Sequence, residues 1–237
     1  MKVSIITASY NRKEYLKENI ESVLALENDP LDIEIEQIIY DDASSDGTDE
    51  LMSQYPHIKY IKGLENKGPS FGRNKAIEQS TGDYIFVLDS DDIILQRTIH
   101  HFVKAALNNP QTDWFICDFI RVDKELRYKT QDDYYAWQFE NTNAMLQSIF
   151  TGSTFIQHNV FFKKSLFIKA GGYAVERRMA EDLDLFVRFL INKSIPLTLP
   201  ITSHLHRVHD SNLSIGVDKE KHLREVFIIH EKYKDQI

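Results

Sequence analysis

Cysteine is nearly missing from this chain of 237 residues: Cys117 stands alone, so no internal disulfide can form. It sits in the apolar run Trp114 to Cys117, which reads as a buried, inert thiol and agrees with a reducing, cytoplasmic compartment. No window approaches the ~20 apolar residues of a membrane-spanning helix. The opening stretch Met1 to Ile6 is too short for a signal peptide and has no small-residue cleavage site behind it. A long basic run is also missing, and the net charge of −8 speaks against nucleic-acid backbone as a main partner. Internal repeats, low-complexity tracts and linkers are equally absent from the sequence. The expectation is a cytoplasmic protein, with room for peripheral association at the inner membrane face and none for a span.

What is present suits a globular core. Hydrophobic residues make up 42% and charged residues 27%, with eleven tyrosines and fourteen phenylalanines. Val3 to Thr7 is a short β-branched run, and Leu16, Ile20, Val23 and Leu24 fall at helical spacing between Lys13 and Glu27. Ile33 to Tyr40 predicts a second strand. Ser45-Asp46-Gly47 opens a helix to about Tyr55, capped by Ser45 or Asp46, and Ile58 to Ile61 is a third strand. Gly68-Pro69-Ser70 starts a helix through Gln79. Tyr84 to Leu88 is continuously apolar, the mark of a central strand covered on both faces. Alternating strands and helices imply an α/β fold with a Rossmann-like, mostly parallel central sheet flanked by helices. After Asn109 the rhythm changes to a mixed α+β half: strands at Asp113 to Val122 and Phe155 to Phe162, and a loop from Lys124 to Asn141. Helices are expected at Glu181 to Ile191 and at Asp218 to Lys234, the latter amphipathic through Leu223, Val226, Phe227 and His230. One domain over 1–237 is expected, made of halves 1–109 and 110–237.

Ligands of such sheets bind at the carboxyl ends of the strands. Three polar clusters meet there: Ser9 to Arg12, Asp41-Asp42 and Asp89-Ser90-Asp91-Asp92. Residues two apart on a strand point the same way, about 6.6 Å apart. Asp89 and Asp91 would then face one point, where a cation relieves their repulsion; the plain alternative is a solvated acidic turn. Asp42 has the chemistry to accept from a nucleobase or ribose, or to serve the turn. Arg73 lies one helical turn in, within reach of a diphosphate or simply of solvent. Glu181 and Asp182 begin a helix, where acids cap and favour the dipole, yet a carboxylate there can also take a hydroxyl proton. The segment His204 to His209 carries three histidines after a strand; alternation would put them on one face, and one would suit a metal site.

Four blocks in order, Val3 to Arg12, Tyr40 to Thr48, Asn66 to Asn74 and Gly82 to Asp92, closely resemble the opening of glycosyltransferase family 2. The likeness resumes more weakly at Gly171-Gly172-Tyr173, Ala180-Glu181-Asp182 and His206 to His209, while Lys124 to Ser165 matches nothing. The resemblance implies a GT-A fold, with 1–109 as the nucleotide-sugar-binding half and 110–237 as the acceptor-binding and catalytic half. Asp42 would hold the base, with Thr7, Ser9 and Asn11 in the same pocket, and Ser90 would join the donor contacts. Arg73 would face the phosphates, Asp89 the ribose or metal, and Asp91 would ligate Mn²⁺ or Mg²⁺, with His209 a further metal or diphosphate contact. Asp182 matches the general base and Glu181 assists it. The activity implied is inverting transfer from a nucleotide sugar, UDP by preference, to a glycan, glycolipid or other hydroxyl acceptor in bacterial-type surface polysaccharide or glycoconjugate synthesis. The rivals are a sugar-phosphate nucleotidyltransferase, which needs a glycine-rich loop that Ala8 to Arg12 lacks, a glycoside hydrolase, and a non-catalytic nucleotide-sugar-binding module.

Overall fold

The computed structural model describes residues 1–26, 31–129, 137–154, 156–177, 179–210, 212 and 219–237. Glu27, Phe155, Asp218 and residues 130–136, which the sequence reading assigned to elements or loop, lie outside the described residues. Strand β1 (Lys2–Ser9) is the apolar axis: Val3, Ile5 and Ile6 are fully buried. Around it the first half unrolls as α1 (Lys13–Leu24), β2 (Glu34–Asp41), α2 (Thr48–Met52), β3 (Lys59–Lys62), α3 (Pro69–Glu78) and β4 (Tyr84–Val87). β5 (Ile93–Ile94), α4 (Thr98–Asn108), β6 (Trp114–Val122), α5 (Thr142–Phe150), β7 (Phe161–Lys163) and α6 (Lys164–Ala170) follow, and then α7 (Glu181–Ile191), β8 (Leu197–Arg207) and α8 (Lys219–Tyr233).

One eight-stranded sheet runs through both halves in the order β3-β2-β1-β4-β7-β6-β8-β5. Its first four strands are parallel, and β7 then pairs antiparallel with both β4 and β6. Successive β4 residues point to opposite faces, and both faces are covered. Val87 joins Ile6, Trp114, Phe162 and Phe186 on one side, while Phe86 joins Val3, Ile5, Phe102 and Phe161 on the other. Register then fixes where the polar residues emerge: Ser9 lies opposite Asp41, Ile6 opposite Val87, and Leu88 N donates to Ile6 O at 3.0 Å. The ends of β1, β2 and β4 therefore open on one edge.

Four expectations change. The strand expected over Phe155 to Phe162 is reduced to Phe161–Lys163, because the Gln157 side chain bonds the backbone N and O of Asn159 while the Asn159 amide reaches Asp92, holding 156–160 as coil. The central strand ends at Val87, and Asp92 N donates to Asp89 O at 3.0 Å, so Asp89 to Asp92 form a turn and do not alternate along a strand. His204 and His206 lie within β8 and His209 beyond it. The stripe expected to bury α8 is turned outward at Leu223 and Phe227; the helix packs through Ile229 and Tyr233 instead. Helices α4, α5 and α6 were not among the expected elements.

Candidate active site

At the end of β1, Thr7 is buried and its Oγ1 donates to Leu88 O at 2.9 Å, tying β1 to the exit of β4. Ser9 is buried too, and its Oγ has no hydrogen-bond partner, an exception among buried hydroxyls that leaves it available to a ligand. Asn11 takes a left-handed φ of 51° and accepts from Ser45 N at 2.9 Å, which folds the β1 loop onto the β2 loop. Asp46 there accepts from both Lys13 N and Thr48 N, so it serves the starts of α1 and α2 together. The Asp42 carboxylate accepts from Lys67 N at 2.9 Å and Gly68 N at 2.7 Å. Gly68 has φ +89°, a conformation that favours glycine, and the acid sits at the positive end of α3.

Arg73 is the surprise of the expected set. Only 5% exposed, it is clasped by Glu181 Oε1 at 2.8 Å and Asp89 Oδ1 at 2.9 Å, with its guanidinium 5.5 Å from the Tyr173 ring centre. It therefore joins the exit of β4 to the start of α7. Burial opposes the charge on Asp89, but His158 and Arg73 outweigh it and hold the carboxyl well below the usual range. Asp182 follows Glu181 at the start of α7, aimed by Ala180 at a left-handed φ of 54°. Its Oδ1 accepts from Leu183 N at 2.8 Å, and its Oδ2 meets His158 Nδ1 at 3.2 Å. Here too burial is outweighed, by the His158 hydrogen bond and charge, so Asp182 stays ionised and able to accept a proton. His158 itself is held above its ordinary value: burial and Arg73 push its proton off, and Asp89 and Asp182 keep it on more strongly.

The acidic turn divides its labour. Asp91 Oδ2 lies 2.9 Å from His209 Nε2, and the His209 ring stacks on Tyr15 at 4.7 Å and 22°. Ser90 is buried between the two carboxylates in sequence. Asp92 faces inward, accepting from Arg207 N at 3.0 Å and Asn159 Nδ2 at 2.8 Å; burial, then Asp91 and Asp89, raise its carboxyl well above the ordinary range. Asn19, buried in α1, donates to Asp89 O and Asp92 O and clamps the turn from below. Asp89 and Asp91 thus look to different partners. Of the three histidines, His209 alone reaches an acid of the cleft edge at hydrogen-bonding distance; buried His204 stacks on Phe119 and half-buried His206 meets the same ring edge-on, and desolvation lowers both of their proton affinities.

For a divalent cation the fit is adequate. Asp91 Oδ2 and His209 Nε2 converge on one point, a carboxylate and imidazole pair acceptable to Mn²⁺. Among the described residues no group of three or more His, Cys, Asp or Glu is arranged for a metal, so phosphate oxygens would complete the shell. Sequence reasoning missed His158, Asn159, Asn19 and Arg207. Their partners around the acidic turn and Asp182 lie 24 to 116 positions away, and no local spacing announces such contacts.

A family model described as glycosyl transferase family 2 matches residues 4–171. A Bacillus subtilis protein named for glycosyl transfer in teichuronic acid biosynthesis is 42% identical over 96 residues, 38% of this chain and 36% of that one. The chain spans 36% to 65% of the length of the first curated relatives it matches. Among solved structures, TarS of S. aureus in complex with UDP-GlcNAc is similar with TM-score 0.77 and 20% identity, over 98% of this chain and 66% of that one. The mannosyltransferase PcManGT from Pyrobaculum calidifontis, in complex with GDP-Man and Mn²⁺, follows with TM-score 0.67 and 18% identity, over 89% and 58%. The α/β architecture is the GT-A type.

Proposed function

The chain belongs to glycosyl transferase family 2, and we propose that it is a metal-dependent, inverting enzyme that moves a sugar from a nucleoside-diphosphate donor to an acceptor hydroxyl. UDP is the preferred nucleotide of this reading, and surface polysaccharide or a related glycoconjugate the product. The observation that carries it is the arrangement of carboxylates across one cleft. Asp42 and Asp91 stand at the strand ends, Asp182 stands at the start of α7, and the Arg73–Asp89–Glu181 network bridges the two sides.

On the donor side, Asp42 holds the base beside the unpartnered Ser9 hydroxyl, with Thr7, Asn11 and Ser90 shaping the pocket. Arg73 contributes positive potential near the phosphates through its hold on Asp89, not as a free side chain. A Mn²⁺ or Mg²⁺ ion held by Asp91 and His209 would supply Lewis-acid neutralisation of the departing diphosphate. On the acceptor side, Asp182 Oδ2 takes the hydroxyl proton as the acceptor oxygen bonds the anomeric carbon. The bond from that carbon to the diphosphate oxygen breaks with its electron pair leaving on the diphosphate. Attack from the face opposite the leaving group inverts configuration in a single displacement. Among the described residues no helix is long and apolar enough to cross a membrane.

The test is isothermal titration with UDP, GDP and dTDP, each with Mn²⁺ and with chelator. Metal-dependent binding of one nucleotide, lost in Asp91→Ala, is the expected result. A folded protein that binds none of the three would overturn the reading.

A further inference from the structure

His158 stands outside the sequence blocks that carry the resemblance, yet it lies between the exit of β4 and the start of α7. Its side chain is 18% exposed, Nδ1 meets Asp182 Oδ2 at 3.2 Å, and Nε2 lies 3.4 Å from Asp89 Oδ1. The Nε2 contact is an ion-pair distance without hydrogen-bond alignment. The two nitrogens of one planar ring thus address carboxylates that arrive from different elements, Asp89 from the end of β4 and Asp182 from the start of α7. Asp182 Oδ1 accepts from Leu183 N and Oδ2 meets His158 Nδ1, so His158 sets the direction in which the remaining lone pair of Oδ2 meets a substrate.

The coil that delivers this ring is costly to build. Gln157 and Asn159 are buried at 5% and 1% exposure, and both spend their amides on fixing the coil. Gln157 Nε2 donates to Asn159 O, Gln157 Oε1 accepts from Asn159 N at 2.8 Å, and Asn159 Nδ2 reaches Asp92 Oδ2 at 2.8 Å. Val87 N donates to Val160 O at 3.2 Å, so the coil is tied to the exit of β4 on its other side as well. Continuing β7 backwards would satisfy the same backbone with no buried amides. The coil instead places His158 between two acids and pins it to the acidic turn.

We propose that His158 is a positioning residue: it fixes Asp182 Oδ2 in the direction of the incoming hydroxyl and couples that carboxylate to Asp89 on the donor side. The inference rests on Asp182 being the base. An imidazole bonded to Asp182 through one nitrogen and held at ion-pair distance from Asp89 by the other suits the task, because a base held within about 0.5 Å of its productive place keeps its advantage and a free rotor loses it.

The assay is release of nucleoside diphosphate from UDP-GlcNAc or GDP-mannose, whichever binds, with water as the attacking hydroxyl. His158→Leu is expected to lower kcat about 30- to 100-fold while the donor Kd by titration stays within about threefold. His158→Asn places an amide NH₂ where Nδ1 stood and is expected to recover kcat to within about tenfold of the parent. In an Asp182→Asn background, His158→Leu should cost no more than about threefold further, since a residue acting through Asp182 has nothing left to orient. Unchanged kcat in His158→Leu, no recovery in His158→Asn, or fully additive losses would each overturn the proposal. The two readings fail separately. Full activity in Asp182→Asn removes the base assignment and this inference together, whereas loss there with none in His158→Leu removes only the inference.

Discussion

Asp182 bears the narrowest demand of any side chain in the cleft, because one oxygen is already committed to its own helix. Asp182→Asn keeps the shape and removes the proton acceptor, so turnover should fall about 10²- to 10⁴-fold with donor affinity nearly intact. Steady-state kinetics and titration on the same preparation check this, and undiminished turnover would sink it. Asp89 gives a second residue-scale consequence, through pH. Its folded-state proton affinity is depressed, so its contribution to stability is present above the ordinary carboxylate value of about 4 and is lost as pH falls below that. Asp89→Asn should therefore melt below the parent at pH 7, and the gap should narrow progressively as pH falls below about 4, closing only in strong acid. A gap that persists in acid would mean Arg73 draws its partner strength elsewhere. The places of Asp42 after a strand and Asp182 at the opening of a helix were legible, because local sequence fixes them; the common point expected of Asp89 and Asp91 was not met, because the strand ends at Val87 and the acids lie in a turn. His158, Asn159 and Arg207 were not legible, because only the folded sheet brings them to the acidic turn.

Among the elements, those with one clear period were legible and those with divided loyalties were not. β1, β2, β4 and α3 follow from uninterrupted runs or a Gly-Pro start. The segment before β7 misled because its apolar residues read as strand while the Gln157 amide bonded the neighbouring backbone and the Asn159 amide bonded Asp92. In α8 the exposed apolar residues outnumber the buried ones, so the periodic stripe pointed the wrong way; ion pairs set the docking face. The entry into β4 has its own requirement. A Cβ on Gly82 would stand 2.7 Å from Ser4 N and 2.6 Å from Ser4 Oγ, closer than real contacts allow. Gly82→Ala should cost about 1–3 kcal/mol, read from urea unfolding, since the obstacle includes backbone of the adjoining strand. A neutral result would show that β1 shifts more freely than its buried ladder suggests.

At the scale of the whole molecule, Asp184 fastens α8 to α7. It is fully buried and meets Arg188 at 2.7 Å, Lys232 at 3.2 Å, Arg177 at 3.3 Å and the Tyr233 hydroxyl at 3.2 Å. Arg177 also pairs with Glu225 at 2.9 Å, and its carbonyl accepts from Ser70 at the start of α3. Asp184→Ala strands buried positive charge and should destabilise the protein by about 3–5 kcal/mol. Amide exchange should then quicken in α8 before it does in β1; uniform quickening would mean that α8 is not held by this carboxylate.

The place of β8 in the sheet has a consequence for how the chain is made. It inserts between β6 and β5, pairing Leu205 with Ile93 across more than a hundred positions. Arg207 and His209, which engage Asp92 and Asp91, ride on its far end. A chain growing from the ribosome therefore finishes every carboxylate of the acidic turn more than a hundred residues before their counterparts emerge, and the gap in its sheet stays open until β8 follows. The growing sheet is thereby timed: until β8 emerges, β6 keeps an open edge and the acidic turn lacks the Arg207 and His209 groups that engage Asp92 and Asp91.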